Sequence, residues 1–325
     1  MTSTEYKMNI PQPPGPPDPR ATDSLDACPV CSSQRITFFL WGKSRYEDTW
    51  FRYDRCEQCG AIFVNPRIPE VNLTEALGGR QHSYVKYLPT REYDRYEADL
   101  NLVGPTLKLH RGNPSNLRWL DIGCGIGNLL EAAKSRGCKC YGLDADASLI
   151  GWAKENTTGT QFATATLDAL PFDPPFDIIS ADNVLEHINN PQPFLMSIHQ
   201  ILAQDGLLVI RVPNYNSLPR HLISLVGKLP TSFVIDPDAH PLNYSASPLR
   251  KLFEETGFEP IRIMEHLMVS YGARRIFNHL NPKWSIPTQR GAAKILRGIG
   301  WIDRLIPKGG LNVTVFARVR RDDRR

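Results

Sequence analysis

The order of apolar segments from Leu117 onward constrains the fold more than any other feature of the sequence. Short apolar runs alternate there with amphipathic helical segments, which is typical of βαβ units and a mostly parallel sheet. Two further runs follow toward the C-terminus. We therefore predict an α/β protein with a Rossmann-like, seven-stranded sheet. The predicted strands are Arg118–Ile122, Lys139–Leu143, Thr160–Ala163, Phe176–Ala181, Gly206–Val212, Phe258–Met268 and Asn312–Val319.

Composition divides the 325 residues into four segments. Residues 1–24 are rich in proline, which removes backbone donors and fixes φ, so we expect a disordered arm without helix or sheet. Residues 25–68 contain paired cysteines, and we expect them to form a small zinc-ribbon-like module. Residues 69–115 are polar and predict a helical linker. Its Tyr84 and Tyr87 either close over a ligand-binding site as a lid or pack on a core. Residues 116–325 contain the sheet, with substrate insertions at about 214–246 and 272–310.

Charge and composition exclude several classes of protein. Hydrophobic residues make up 41% of the chain, enough for a core, and no apolar run approaches the roughly 18 residues of a membrane span. Most of the net charge of +4 comes from the arginine-rich C-terminal tail, so a nucleic-acid partner is disfavoured. Seven cysteines without a leader sequence indicate a reducing compartment, and we expect a cytoplasmic protein.

Residues 291–306 have helical amphipathic spacing, which suits packing on the sheet or peripheral membrane contact. Nothing in the sequence indicates an oligomeric state.

Two C-x-x-C pairs predict a metal centre. Cys28 and Cys31 form the first pair, Cys56 and Cys59 form the second, and 24 residues separate the pairs. Two such turns can place four thiolates around one Zn²⁺ ion. Because four sulfur ligands leave no position for water, the predicted zinc is structural. Redox or chance cysteines are the alternative interpretation.

A glycine-rich loop follows the first predicted strand of the large sheet. Gly123, Gly125 and Gly127 alternate with other residues before a predicted helix at Leu129–Arg136, and the pattern differs from the dinucleotide G-x-G-x-x-G. The loop contains no Lys or Arg to meet a pyrophosphate. Carboxylates follow the strands instead, which suits a cationic ligand with a ribose, and Asp144 is placed to bind the ribose hydroxyls. These carboxylates are Asp121, Asp144, Asp168 and Asp182.

The segment Leu120-Asp-Ile-Gly-Cys-Gly-Ile-Gly127 resembles the first motif of class I S-adenosylmethionine-dependent methyltransferases, and the resemblance extends over about residues 116–319. It implies S-adenosyl-L-methionine as the cofactor. The implied contacts are Asp121, Gly123, Cys124, Gly125 and Gly127 at the methionine end, Asp144 and Ala145 at the ribose, Asp168 and Ala169 at the adenine, and Asn183 in the loop under the sulfonium.

The cysteine module ahead of this core also resembles bacterial methyltransferases of sugar, polysaccharide and natural-product pathways. The resemblance implies methyl transfer to an oxygen or carbon of a small molecule, a sugar or secondary metabolite. Sugar C-methyltransferases usually have a further C-terminal domain, for which this chain is too short. The alternatives are an RNA or protein methyltransferase that uses the zinc module for substrate binding, and a non-catalytic zinc-ribbon binding protein.

Two histidines are candidates for the chemistry. A hydroxyl acceptor must lose a proton, and an imidazole can take it near neutral pH. His187 follows the fourth strand of the large sheet, and His240 lies in the first insertion, so either is a candidate base. Asn183 stands where a metal-dependent methyltransferase pattern has Glu, which disfavours a magnesium site with Glu186 and His187.

Overall fold

The computed structural model describes residues 12–44, 46–69, 95, 98–217, 237–266 and 310–321. Its strands are β1 (Ile36–Lys43), β2 (Trp50–Cys56), β3 (Ile62–Val64), β4 (Arg118–Ile122), β5 (Lys139–Asp144), β6 (Thr160–Thr164), β7 (Phe176–Asp182), β8 (Leu202–Pro213), β9 (Leu242–Asn243), β10 (Phe258–His266) and β11 (Asn312–Val319). Its α-helices are α1 (Gly104–His110), α2 (Asn128–Ser135), α3 (Ala147–Asn156), α4 (Pro191–Ile201) and α5 (Ala246–Glu255). A π-helical turn covers Asp99–Val103, and 3-10 helices cover Pro114–Asn116, Leu167–Ala169 and Leu185–His187.

The large sheet has seven strands in the order β10-β11-β8-β7-β4-β5-β6, which confirms the predicted α/β fold. The neighbours β8, β7, β4, β5 and β6 are parallel, and β11 runs antiparallel to both β8 and β10. The predicted strand starts are correct except in β8, which begins at Leu202 and not at Gly206. The carboxyl ends of β4, β5 and β7 meet at one edge, where an open α/β sheet of this type binds ligands.

Successive side chains of the central strands point to opposite faces of this sheet, and both faces are buried. On β4, Trp119 and Leu120 are fully buried in two different core clusters, as the period of two requires. Leu120 shares its cluster with Leu195 of α4 and Leu252 of α5, whereas the Trp119 cluster includes Leu130 of α2. The sheet is therefore covered by helices on both sides, which fixes the loops at its carboxyl edge.

A second, four-stranded antiparallel sheet has the order β1-β2-β3-β9. Its first three strands belong to the predicted cysteine module, but β9 comes from the insertion that follows β8. Phe63 of β3 pairs with Leu242 of β9, and Ile62 pairs with Asn243. No sequence pattern indicates this pairing, because a two-residue strand has no measurable period. Sheet pairing thus joins the 25–68 module to the 214–246 insertion.

The prediction of an arm without sheet contacts is wrong for residues 12–24, which pair with the small sheet. The Trp50 N–H donates to the Pro16 carbonyl (2.9 Å) and the Asp18 N–H donates to the Trp50 carbonyl (3.0 Å). Asp23 and Arg67 exchange two further backbone hydrogen bonds. Proline lacks a donor but keeps its carbonyl acceptor, so a proline-rich segment can lie along the edge of a sheet.

Several predicted features lie outside the described residues: Tyr84 and Tyr87, the helix at 291–306, and most of the insertion at 272–310. The described part of the 69–115 linker is helical at Asp99–Val103 and in α1. Among the described residues, no helix is long and apolar enough to cross a membrane.

Leu242→Ala should destabilise the protein, because Leu242 is buried at 2% exposure between the two sheets. We expect a loss of about 2–4 kcal/mol in the free energy of unfolding, measured by urea denaturation. Ile261→Ala on β10 is the matched control, since Ile261 is 40% exposed and its loss should cost well under half as much. Equal effects of the two substitutions would show that the β9 contact contributes little to stability.

Candidate functional site

The glycine loop between β4 and α2 lies at the carboxyl edge of the large sheet. Gly123, Gly125 and Gly127 all have left-handed φ values, of 70°, 53° and 79°. The Cys124 N–H donates to the Leu143 carbonyl (2.8 Å), and the Gly127 N–H donates to the Cys124 carbonyl (2.9 Å). The first bond holds the loop against the end of β5, and the second closes the turn within the loop.

The three glycines differ in what surrounds them. A Cβ atom on Gly123 would lie 2.4 Å from Val184 Cγ2, and one on Gly127 would lie 2.7 Å from Phe162 Cζ. A Cβ atom on Gly125 would meet nothing within 4 Å. Gly123 and Gly127 are therefore required by packing, whereas Gly125 borders open space in which a ligand can approach the backbone.

Asp144 ends β5 beside this open space. Its Oδ2 accepts a hydrogen bond from the Gly125 N–H (2.8 Å), and its Oδ1 accepts one from the Asp146 N–H (2.9 Å). Burial raises the pKa of the Asp144 carboxyl above its usual value. A carboxylate has about four acceptor sites, so Asp144 can still accept bonds from ribose hydroxyls, with Ala145 exposed next to it.

Asp121, near the carboxyl end of β4, is buried at 3% exposure. The Ser180 hydroxyl donates to Asp121 Oδ1 (2.6 Å), and the Trp119 indole N–H donates to Ser180 Oγ (2.8 Å). Burial raises the pKa of the Asp121 carboxyl to about 8. These contacts join β4 to β7 directly below the glycine loop.

The remaining predicted carboxylates have different environments. Asp182 forms a two-bond ion pair with Arg211 of β8 (2.6 and 2.5 Å), a partner that the sequence analysis did not identify. Asp168 and Ala169 are exposed in the 3-10 helix after β6. Asn183 has a left-handed φ of 56°, and its side-chain amide donates to Asp182 Oδ1 (2.9 Å).

The two candidate histidines lie together, although 52 residues separate them in the sequence. The rings of His187 and His240 are in edge-to-face contact, with centroids 4.9 Å apart. His187 Nδ1 lies 2.6 Å from the Ala239 carbonyl oxygen, which can only accept, so Nδ1 carries the proton. Burial lowers the pKa of the His187 imidazole. The neutral ring therefore has its lone pair on Nε2.

Glu186 is a site residue that the sequence raised only within the magnesium pattern. It is 2% exposed, and neither carboxylate oxygen has a hydrogen-bond partner among the described residues. Burial raises the pKa of this carboxyl to about 8. One of its oxygens lies within 4.8 Å of ring nitrogens of both His187 and His240. No local sequence pattern indicates that a glutamate in the turn after β7 is buried.

The four cysteines of the small module form a buried cluster. The Cys28 and Cys59 sulfurs are 3.7 Å apart, and those of Cys31 and Cys56 are 3.6 Å apart. Tetrahedral zinc with Zn–S bonds of about 2.3 Å requires sulfurs about 3.8 Å apart, so the cluster fits this ion. Cys124, Cys138 and Cys140 are buried elsewhere in the chain.

The cysteine module also holds the histidine-bearing segments. The Arg67 guanidinium donates to the Asn189 carbonyl (2.5 Å), two residues after His187. The Val64 N–H donates to the Pro241 carbonyl (2.9 Å), next to His240, and the Ser44 hydroxyl donates to Asp238 Oδ1 (2.8 Å). The module thus positions both imidazoles relative to the large sheet.

Comparisons with known proteins agree with this fold. A protein-family model described as "Methyltransferase domain" matches residues 89–263. The chain is 29% identical over 146 residues to the ubiquinone biosynthesis O-methyltransferase of Rickettsia conorii, covering 43% of this chain and 50% of that protein. It is 30% identical over 138 residues to the protein of the same name from Bradyrhizobium sp., covering 41% of this chain and 50% of that protein. The chain spans about half the length of these curated relatives.

A solved structure shares the fold. The plantazolicin methyltransferase BpumL in complex with a triazolic desmethylPZN analog and SAH superposes with a TM-score of 0.51 at 15% identity, covering 77% of this chain and 95% of that chain. At this identity the similarity concerns the fold alone.

Gly127→Ala should destabilise the protein more than Gly125→Ala. Both substitutions put a side chain in the left-handed region, at a cost of about 1–2 kcal/mol. Gly127→Ala adds the clash with Phe162, so we expect a total loss of about 2–4 kcal/mol in the free energy of unfolding. Urea denaturation of the ligand-free protein measures the difference. Equal losses would contradict the assignment of open space to Gly125.

The Asp121→Asn variant should become more stable relative to the wild-type protein as the pH rises. The folded-state pKa of about 8 lies above the ordinary 3.8, so folding retains a proton that the unfolded chain loses. The contribution of the protonated Asp121 carboxyl to the unfolding free energy of the wild-type protein is full below about pH 4. It is lost as the pH rises toward 8. Across this window, we expect the unfolding free energy of the variant to gain about 1–3 kcal/mol relative to wild type. Asp168→Asn, at an exposed carboxyl, is the control. If the difference in unfolding free energy between Asp121→Asn and wild type did not change with pH, the raised pKa of Asp121 would be contradicted.

Proposed function

Because this chain belongs to the methyltransferase-domain family, whose model matches residues 89–263 of its 325, we propose that it transfers the methyl group of S-adenosylmethionine to an oxygen or carbon of a small molecule. The observation that carries the proposal is the open space at Gly125, bordered by the Asp144 carboxylate at the carboxyl edge of the sheet. An open glycine next to a carboxylate suits a cationic nucleoside better than a pyrophosphate.

The cofactor contacts that we propose follow the sequence interpretation. Asp144 and Ala145 bind the ribose, and Asp168 and Ala169 border the adenine. Gly123, Cys124, Gly125 and Gly127 present the backbone of the loop to the methionine end, while Asn183 lies in the turn under the sulfonium. We propose that Asp121 acts at the methionine end mainly through the loop, because Ser180 already donates to its carboxylate.

Methyl transfer requires an acceptor atom held in line with the sulfonium. S-adenosylmethionine supplies an electrophilic methyl group: the bond from sulfur to methyl breaks as the bond from methyl to the acceptor forms. The protein orients the acceptor and removes its proton. His187 and His240 are the groups that we propose for activating the acceptor, because they lie together beside the turn that follows β7.

A hydroxyl is the acceptor that these observations favour. Imidazoles suit the removal of a hydroxyl proton, and the curated relatives are named O-methyltransferases. We propose a sugar or secondary metabolite as the acceptor molecule. No observation favours an RNA or protein acceptor over a small molecule, and the open cofactor space argues against a purely structural zinc-ribbon protein.

We propose that Cys28, Cys31, Cys56 and Cys59 hold one structural Zn²⁺ ion. The support is the sulfur spacing of 3.6–3.7 Å and the burial of all four thiols. Four thiolates fill a tetrahedral shell, so this ion would stabilise the small sheet and take no part in the reaction.

Calorimetric titration with S-adenosylmethionine and S-adenosylhomocysteine tests the cofactor assignment. We expect micromolar binding of both to the wild-type protein. Asp144→Asn should weaken both at least tenfold, about 1.4 kcal/mol or more, because both ligands carry the same ribose. Glu259→Gln, at an exposed carboxylate of β10, is the control and should bind as wild type.

Unchanged binding in Asp144→Asn would disprove the ribose assignment, and no binding to the wild type would disprove the proposed function. Methyl transfer is then followed as S-adenosylhomocysteine release with sugar and hydroxylated aromatic acceptors.

A further inference from the structure

Three potential metal ligands converge at the turn that follows β7. One ligand atom each from Glu186, His187 and His240 lies within 4.8 Å of the others. We propose that these three residues form a binding site for a divalent transition-metal ion, separate from the cysteine centre. The proposal deepens the proposed function, on which its catalytic consequence rests.

Glu186 is the main support for a bound cation. Its carboxylate is 2% exposed, and neither oxygen has a hydrogen-bond partner among the described residues. Burial of an unpaired carboxylate is strongly unfavourable. Protonation would remove the charge but would leave both oxygens without partners. A cation satisfies the charge and the oxygens together.

The orientation of His187 suits coordination. Its Nδ1–H donates to the Ala239 carbonyl (2.6 Å), so the lone pair of the neutral ring is on Nε2. Metal-bound histidines usually make this kind of bond through the second ring nitrogen, because it fixes the tautomer and the ring orientation.

The third ligand comes from a segment that is held in place. The His240 carbonyl accepts from the Asn243 side-chain amide (3.4 Å), and the next residue, Pro241, accepts from the Val64 N–H (2.9 Å). His187 and His240 are partly exposed, whereas Glu186 is buried. The site therefore has one buried inner ligand and two outer ligands that solvent reaches in part.

The ligand set indicates which ions fit. One carboxylate with two imidazoles suits Zn²⁺, Co²⁺, Mn²⁺ or Fe²⁺, whereas Mg²⁺ and Ca²⁺ prefer oxygen ligands. This preference agrees with the sequence argument against magnesium, in which Asn183 replaces a carboxylate. Three protein ligands also leave positions open, as in catalytic metal sites.

A metal ion here would change how the acceptor loses its proton. As ligands, His187 and His240 could not serve as free bases. An acceptor hydroxyl bound at an open position would instead release its proton to water more readily, because the ion stabilises the oxyanion. The oxyanion then forms the new bond to the methyl group as the bond from sulfur to methyl breaks.

Titration of the full-length, zinc-replete protein with Co²⁺ tests the proposal by calorimetry and visible absorption. We expect one Co²⁺ per chain at micromolar affinity, with weak d–d bands and no sulfur-to-cobalt charge-transfer band. Glu186→Gln and His240→Gln should each weaken this binding at least tenfold. His199→Gln, a histidine on α4 next to Phe258, is the control and should bind as wild type.

Circular dichroism of each variant shows whether it is folded, and His240→Gln replaces a partly exposed residue in case Glu186→Gln does not fold. The proposal is overturned if no such Co²⁺ binds, if the absorption shows thiolate charge transfer, or if both variants bind as wild type. Failure of the proposed function is distinguishable, since it would abolish cofactor binding and not cobalt binding.

Discussion

The convergence of four cysteine sulfurs inside a shared core is the constraint on which the junction between the two sheets depends. Cys28, Cys31, Cys56 and Cys59 lie in the same buried cluster as Leu120 and Leu208 of the large sheet. The small module buries its own cluster around Phe51, Tyr53 and Val64, and at this size a cross-link such as zinc would add to its stability. Because its apolar residues pack against the methyltransferase core, the metal centre would stabilise the junction between the two sheets as well as the module.

This junction explains the position of the candidate reaction site. The segment after β8 returns to the module as β9, and the turn after β7 is held by Arg67. His240 and His187 are carried by these two segments and meet in edge-to-face contact. The side proposed for the cofactor, by contrast, is built by the sheet itself, from the loop around Gly125 and the end of β5. The two sides of the site therefore have separate structural supports.

Much of this architecture could be predicted from local patterns. Alternating apolar runs predicted the seven strands, and the paired C-x-x-C spacing predicted the cysteine cluster. The unpredicted features all depend on contacts between distant residues: the pairing of β9 with β3, the Asp182–Arg211 ion pair and the burial of Glu186. The edge pairing of residues 12–24 was missed because proline was judged by its missing donor and not by its carbonyl.

Hydrogen exchange with and without the proposed zinc ion, which a chelator removes, tests most directly whether the cysteine centre supports the candidate reaction site. If the two sheets depend on one junction, zinc removal should accelerate amide exchange in residues 28–64 and also in residues 185–189 and 239–244. Exchange in β4 and β5, at the centre of the large sheet, should remain slow. Faster exchange confined to residues 28–64 would contradict the account, because the histidine-bearing segments would then be held independently of the cysteine centre.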